Sequence, residues 1–303
     1  MAANRSLKWK CLSSLLAALA LAACAVPGPA PPAPPSPAQG LAGVSDAGQL
    51  RDHEGLLAIL WVQTAAEYEA NARLVYRAAT DRLDEAIADP DWDALAHEAE
   101  PGAPGRPPAV ILDVDETVLD NSAYQARLVQ DGGVYETDSW YAWCEERQAR
   151  AVPGALAFTR LADARGVRVI YLTNRDHVLE AATADNLRAL GFPVPADEDV
   201  VLTRGEREDW TSAKTARRAW VAERYRVIML FGDNLGDFLS PYRVPIEERS
   251  ALVERYGERW GRDWFMLPNP LYGSWESALF WHDYGRSLDE RRAARYEALR
   301  TER

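Results

Sequence analysis

Residues 109–122 read AVILDVDETVLDNS. Four apolar residues, Ala109 to Leu112, run directly into Asp113-Val114-Asp115-Glu116-Thr117, and a Pro/Gly loop, PGAPGRPP, precedes them. A short apolar run bounded in this way predicts a buried strand. Positions i and i+2 of a strand share a face, so extended geometry carried past Leu112 would send the Asp113 and Asp115 carboxylates off together. Open α/β sheets bind ligands at the carboxyl ends of their strands, where these two acids stand. Taken alone, a DxD is equally well a polar strand end without chemistry.

The flanking sequence repeats the pattern. Val167–Leu172 (VRVIYL) predicts a second buried strand ending in Thr173-Asn174-Arg175-Asp176, Asp199–Leu202 a short third, and Tyr225–Phe231 (YRVIMLF) a fourth ending in GDNLGD. Phe265–Leu267 is a candidate fifth. Helical spacing marks 46–88 as one long helix or two shorter ones, through Leu57, Leu60, Trp61, Thr64, Tyr68, Ala72, Val75 and Ala79. Further helices are expected over 153–165, over 177–190 with Gly191 as a C-terminal stop, over 211–224 around Lys214, and over 276–300. Alternating strands and helices imply a parallel α/β sheet flanked by helices. Its polar strand ends then converge on one edge.

Lys214 stands apart by composition. Beyond the first 23 residues the chain has 30 arginines and this single lysine. A compact ammonium suits a site that needs one point charge beside a carboxylate nucleophile, whereas the planar guanidinium suits paired acceptors. The competing reading is a lysine surviving on a solvated helix face.

DVDET, YLTNR, Lys214 and FGDNLGDF resemble the four motifs of the haloacid dehalogenase (HAD) superfamily phosphatases. The wider context, LDVDETVLDNSAY, WCEERQARAVPGA and LPNPLYGSWE, resembles the class C acid phosphatases, the lipoprotein e family of outer-membrane 5′-nucleotidases. That resemblance implies a HAD-like Rossmannoid sheet, with a smaller helical domain from the N- and C-terminal segments. It implies Asp113 as nucleophile through an aspartyl-phosphate, Asp115 as general acid and base, Thr173 as a hydroxyl on the transferring phosphoryl group, and Lys214 as the neutralising cation. It implies Mg²⁺ held by Asp113, Asp233 and the main-chain carbonyl of Asp115, with Asp237 in the outer shell. Trp140 and Tyr272 match the aromatic pair that sandwiches a nucleotide ring, and Asn174 is a phosphate contact. With 11 Trp and 12 Tyr, packing is the competing role for both aromatics.

The N-terminus reads as a targeting segment. Arg5, Lys8 and Lys10 precede an apolar run, Leu12–Ala20, which leads into Leu21-Ala22-Ala23-Cys24. This resembles a bacterial lipobox, implying cleavage before Cys24, lipidation of that cysteine and a membrane anchor. Ala25 rather than Asp follows the cysteine, which by analogy with enterobacterial sorting implies the outer membrane, facing the periplasm or the outside. Residues 25–43 hold seven of the 19 prolines and read as an extended tether. At about 3.1 Å per residue it reaches roughly 60 Å. The expected division is a signal over 1–23, lipidated cysteine and tether over 24–45, an N-terminal helical segment over 46–100, a phosphatase-like core over 109–275 and a C-terminal helix over 276–303.

The full chain carries a net charge of −12, and loss of the three leader cations makes it more acidic still. Such a surface argues against nucleic-acid binding, and it obliges a phosphate-handling site to supply local positive charge or a metal. Cys144 would be left without a thiol partner, so it is expected as a packing residue. None of the four histidines follows an arginine, which disfavours histidine phosphatases, and so few fit a dinuclear metallophosphatase poorly. The non-enzyme alternative is a lipid-anchored binding protein on an inactive HAD fold, against which Asp113 and Asp115 both stand. Within the phosphatase reading, a broad acid phosphatase and a 5′-nucleotidase acting on nucleotides such as nicotinamide mononucleotide both remain open, as does a homodimer.

Overall fold

A computed structural model describes residues 54–98 and 105–302, all within one unit spanning Asp46–Arg303. The signal over 1–23, Cys24 and the tether lie outside the described residues. The chain begins with α1 (Leu56–Thr64) and α2 (Ala66–Ala88), then β1 (Pro108–Leu112), β2 (Leu119–Asp120), α3 (Ser122–Asp131), α4 (Thr137–Glu146) and β3 (Arg150–Ala151). There follow α5 (Ala155–Ala164), β4 (Arg168–Asp176), α6 (Glu180–Leu190), β5 (Val201–Arg204), α7 (Thr215–Ala222) and β6 (Arg226–Gly232). The chain ends with α8 (Ile246–Arg255), β7 (Trp264–Met266), α9 (Ser274–Ser277) and α10 (Leu288–Glu297).

The sheet order is β5-β4-β1-β6-β7, and every pairing is parallel. From β1 the chain builds outward through β4 and β5, then returns to the other side for β6 and β7. The topological switch point therefore lies between β1 and β6, where ligands bind in such sheets. Both faces of β1 are covered, which is why Ala109, Val110, Ile111 and Leu112 are all buried. Tyr76 of α2 stacks on Phe231 of β6 with ring centroids 5.5 Å apart, and Phe158 of α5 packs beside both.

The segment over 46–88 is two helices. They part at Ala65, whose backbone is extended, just after the Thr64 hydroxyl turns back 2.6 Å to the Leu60 carbonyl. The carboxyl end of α2 receives no basic residue of its own. Arg226 of β6 instead donates to the carbonyls of Ala86, Ile87, Asp89 and Trp92. Gly191, with φ at +86°, ends α6 as the sequence predicts.

Three expectations are corrected. Strand β4 runs beyond Leu172 through Asp176, so Thr173–Asp176 belong to the strand. Helix α7 begins at Thr215, one residue after Lys214, because 211–213 form a turn. The region over 276–300 is not one helix, since Trp281 and His282 take left-handed backbone (φ +60° and +57°) that interrupts α-helical geometry. The two ends of the described chain meet where Arg292 and Arg295 of α10 pair with Glu54 at 2.7 and 2.6 Å. Among the described residues, no helix is long and apolar enough to cross a membrane.

Candidate active site

The DVDET segment turns sharply instead of continuing as strand. Asp113 still extends the ladder, its N–H donating 3.0 Å to the Phe231 carbonyl. The chain then folds back, and the amides of Val118 and Leu119 both donate to the Val114 carbonyl. Glu116 takes a left-handed φ of +56°, which an L side chain adopts only under constraint. Its carboxylate accepts the Asn121 amide at 2.9 Å, and the Tyr76 hydroxyl holds the Thr117 carbonyl at 2.7 Å. The two aspartates thus reach one cleft through a braced turn, and strand alternation alone does not carry them there.

That cleft has a volume of about 1100 Å³, and Asp113, Asp115, Lys214, Asp233 and Asp237 all line it. Lys214 bridges two buried acids, contacting Asp113 Oδ1 and lying 2.6 Å from Asp237 Oδ1. The other Asp237 oxygen accepts the Asn234 amide at 2.9 Å. Gly232 is required here, because a Cβ added to it would stand 2.3 Å from the Asp237 side chain. Asp233 is half-buried, and its Oδ2 accepts the Asn269 amide at 2.7 Å.

Burial pushes the Asp113 carboxyl up to about 7; Lys214 opposes this, while Asp237 and Asp115 add to it. Burial likewise drives Asp233 well above the ordinary range, reinforced by Asp237 and Asp113. Burial works against the charge on Lys214, but Asp113 and Asp237 more than offset it and hold its pKa up. Three carboxylates therefore share one ammonium. Asp113, Asp233 and Asp237 each offer an oxygen within 4.8 Å of the others. Close-set, desolvated hard oxygens with surplus negative charge fit a divalent cation, which would offset the burial and repulsion that raise Asp113 and Asp233.

Asp115 has a different environment. Its Oδ1 accepts Arg175 Nε at 3.0 Å, Arg175 Nη2 at 2.8 Å and Asn121 Nδ2 at 2.9 Å. Its Oδ2 carries only a marginal contact from the Thr173 hydroxyl at 3.5 Å. Arg175 is itself buried, anchored to Thr183 Oγ1 at 3.1 Å, and its guanidinium lies 5.4 Å from the Trp140 ring centroid. Trp143 donates 2.9 Å to Asn121 Oδ1, completing a brace around the turn.

The remaining expected residues divide by position. Trp140 and Tyr272 both line the cleft. Thr173 is fully buried beneath Asp115 and does not line it. Asn174 borders the cleft, but its amide is used internally: it accepts Arg217 Nη2 at 2.5 Å and donates to the Ser212 carbonyl at 3.0 Å. Asn174 thereby ties the end of β4 to the turn that carries Lys214. The lone described thiol, Cys144, is buried and pushed up to about 12 by that burial, as befits a packing residue. Arg175, Asn121, Arg217 and Asn269 join the site in the fold without standing out in the sequence. Arg175 and Asn121 sit inside the motif segments but are hidden among many polar neighbours. Arg217 is one of many arginines, and Asn269 sits within LPNPLYGSWE without a role that the stretch itself displays.

A family model described as HAD superfamily, subfamily IIIB (acid phosphatase), matches residues 55–275. Among solved structures, the chain is similar to the class C acid phosphatase from Bacillus anthracis, with 32% identity and a TM-score of 0.72, covering 84% of this chain and 100% of that one. A tungstate-bound structure of the same enzyme matches at 31% identity and a TM-score of 0.72, covering 84% of this chain and 99% of that one. Acid phosphatase 1 of Solanum lycopersicum is 28% identical over 166 residues, 54% of this chain. The match spans 57% of that relative's length.

Proposed function

The chain belongs to the class C acid phosphatases of HAD subfamily IIIB, and from that premise we propose that it hydrolyses phosphomonoesters through a phosphoryl group carried on Asp113. The observation that carries this reading is the division of labour between two aspartates on one cleft. Asp113 is held by Lys214, and Asp115 is clamped through one oxygen by Arg175 and Asn121. The B. anthracis relative binds tungstate, an oxyanion, which supports a phosphate-handling role.

In the first step Asp113 attacks phosphorus in line, and the P–O bond to the leaving alcohol breaks. Asp115 gives that oxygen its proton. With Oδ1 already accepting three N–H groups, the proton resides on Oδ2. In the second step Asp115 takes a proton from water through the same oxygen, and the water attacks phosphorus to release phosphate and restore Asp113. Lys214 offsets charge on Asp113 and on the transferring group, and the buried Thr173 lies beneath Asp115. Asp113 and Asp233 would hold Mg²⁺, with Asp237 behind them. When bound, the ion supplies positive charge that keeps Asp113 ionised and draws phosphate oxygens into an acidic protein.

Trp140 and Tyr272 line the same cleft and offer π-faces to a base or nicotinamide ring, which favours nucleoside 5′-monophosphates within a broader phosphomonoester range. The LAAC sequence ending at Cys24 supports a lipid anchor at the outer membrane. The direct test is a hydrolysis panel of 5′-monophosphates, 3′-monophosphates and aryl phosphates, with and without EDTA. Turnover of all three classes abolished by EDTA and restored by Mg²⁺, with 5′-monophosphates preferred, is expected. Turnover untouched by EDTA removes the metal, and no turnover of any ester removes the function.

A further inference from the structure

The cleft is larger than one phosphoryl group and one stacked ring require. Its volume of about 1100 Å³ stands at the upper end for small-molecule sites. Six cations line it: Arg175, Lys214, Arg243, Arg291, Arg292 and Arg295. Five are committed. Arg175 holds Asp115, Lys214 holds Asp113 and Asp237, and Arg292 and Arg295 pair with Glu54. Arg291 donates through Nε and Nη2 to the carbonyls of Arg286 and Tyr284. Arg243 is exposed and, among the described residues, has neither a carboxylate nor a carbonyl partner. Its guanidinium carbon lies 5.8 Å from the Tyr242 ring centroid.

Tyr242, the neighbour of Arg243 in the chain, packs close to the catalytic loop. Its ring packs on Gly236, so closely that a Cβ there would meet it at 3.0 Å. Gly236 lies in the loop between Asp233 and Asp237. Arg243, the residue after Tyr242, lines the same cleft and among the described residues pairs with none of its carboxylates. Seven carboxylates also line the cleft, so a second negative charge on a substrate is repelled unless one cation remains unspent. A guanidinium fork matches phosphate oxygens in two-pronged fashion.

We propose that Arg243 is a specificity residue that binds a second, non-reacting phosphate, so that the enzyme favours small bisphosphorylated substrates over their monophosphates. This rests on the phosphatase reading above. The test compares kcat/KM for adenosine 3′,5′-bisphosphate, adenosine 5′-monophosphate and p-nitrophenyl phosphate, in the unaltered protein and in Arg243→Ala, Arg243→Lys and Arg243→Glu. Arg243→Ala is expected to lower the bisphosphate value about tenfold, through KM. The other two substrates should stay within about twofold. Arg243→Lys should recover part of the loss, Arg243→Glu should deepen it, and added salt should shrink it. Equal changes on all three substrates, or none on the bisphosphate, overturn the proposal while leaving the phosphatase reading intact. No turnover of any of the three by the unaltered protein overturns both.

Discussion

Arg175 places two nitrogens on a single oxygen of Asp115, Nε at 3.0 Å and Nη2 at 2.8 Å from Oδ1. Asn121 takes the same oxygen, leaving Oδ2 to exchange protons. Arg175→Lys keeps the charge but cannot make both contacts. Its kcat should fall about 10- to 100-fold with KM little changed. The loss should be greater for alkyl and nucleoside esters, whose leaving oxygen needs the proton, than for p-nitrophenyl phosphate. A loss independent of leaving group would show that Arg175 does not act through Asp115.

The raised value at Asp113, from an ordinary 3.8 to about 7, links stability to pH. Between those limits the folded protein keeps a proton that the unfolded chain has lost, so this contribution is full below about 4 and is lost as pH rises toward 7. In EDTA, melting curves should show the protein losing on the order of 3 kcal/mol relative to Asp113→Asn across that window. Glu116 and Asp233 shift the same way, so a slope persists in the variant. Mg²⁺ at pH 7 should recover stability in the unaltered protein and less in Asp113→Asn. A difference that grows in favour of the unaltered protein with rising pH contradicts the assignment.

Gly232 tests the close approach of Asp237 to the end of β6. Gly232→Ala sets a methyl 2.3 Å from the Asp237 side chain, so something must move. A cost of about 1–3 kcal/mol in stability is expected. Displacement of Asp237 from Lys214 should also raise the Mg²⁺ concentration needed for half-maximal activity. An unchanged Mg²⁺ titration would show that Asp237 does not support the cation.

The aromatic walls separate ring recognition from chemistry. Tyr272→Ala should raise KM for 5′-monophosphates about tenfold, the loss of one stacking partner, with aryl phosphates far less affected. Trp140→Ala should do the same and also lower kcat on every substrate, because Arg175 lies against the Trp140 ring. Trp140→Phe should restore much of the kcat. Steady-state kinetics that leave all substrates unchanged in Tyr272→Ala would remove that residue from the site.

The parallel sheet was legible because its strands are apolar runs ending abruptly in polar residues, as Leu112-Asp113 and Phe231-Gly232-Asp233 do. Lys214 was legible because it is rare. What the sequence does not display is which groups brace these residues. Arg175, Asn121 and Arg217 act across 60, six and 43 positions of chain, so no local period reports them. The position of Lys214 just before α7 depends on Asn174 and Arg217 gripping the 211–213 turn, a tertiary effect that overrides the helical pattern. Motif resemblance puts the Thr173 hydroxyl on the phosphoryl group; in the fold, where β4 continues to Asp176, that buried residue lies beneath Asp115.

If the phosphoryl group passes through Asp113, it can be caught there. The direct measurement is rapid acid quench of the Mg²⁺-loaded protein mixed with a phosphomonoester, followed by peptide mass spectrometry. One phosphoryl group should be found on the peptide containing Asp113, absent from Asp113→Asn, which should also lose turnover. Near-normal turnover in Asp113→Asn, or a phosphoryl group trapped on any other residue, would rule out Asp113 as the nucleophile.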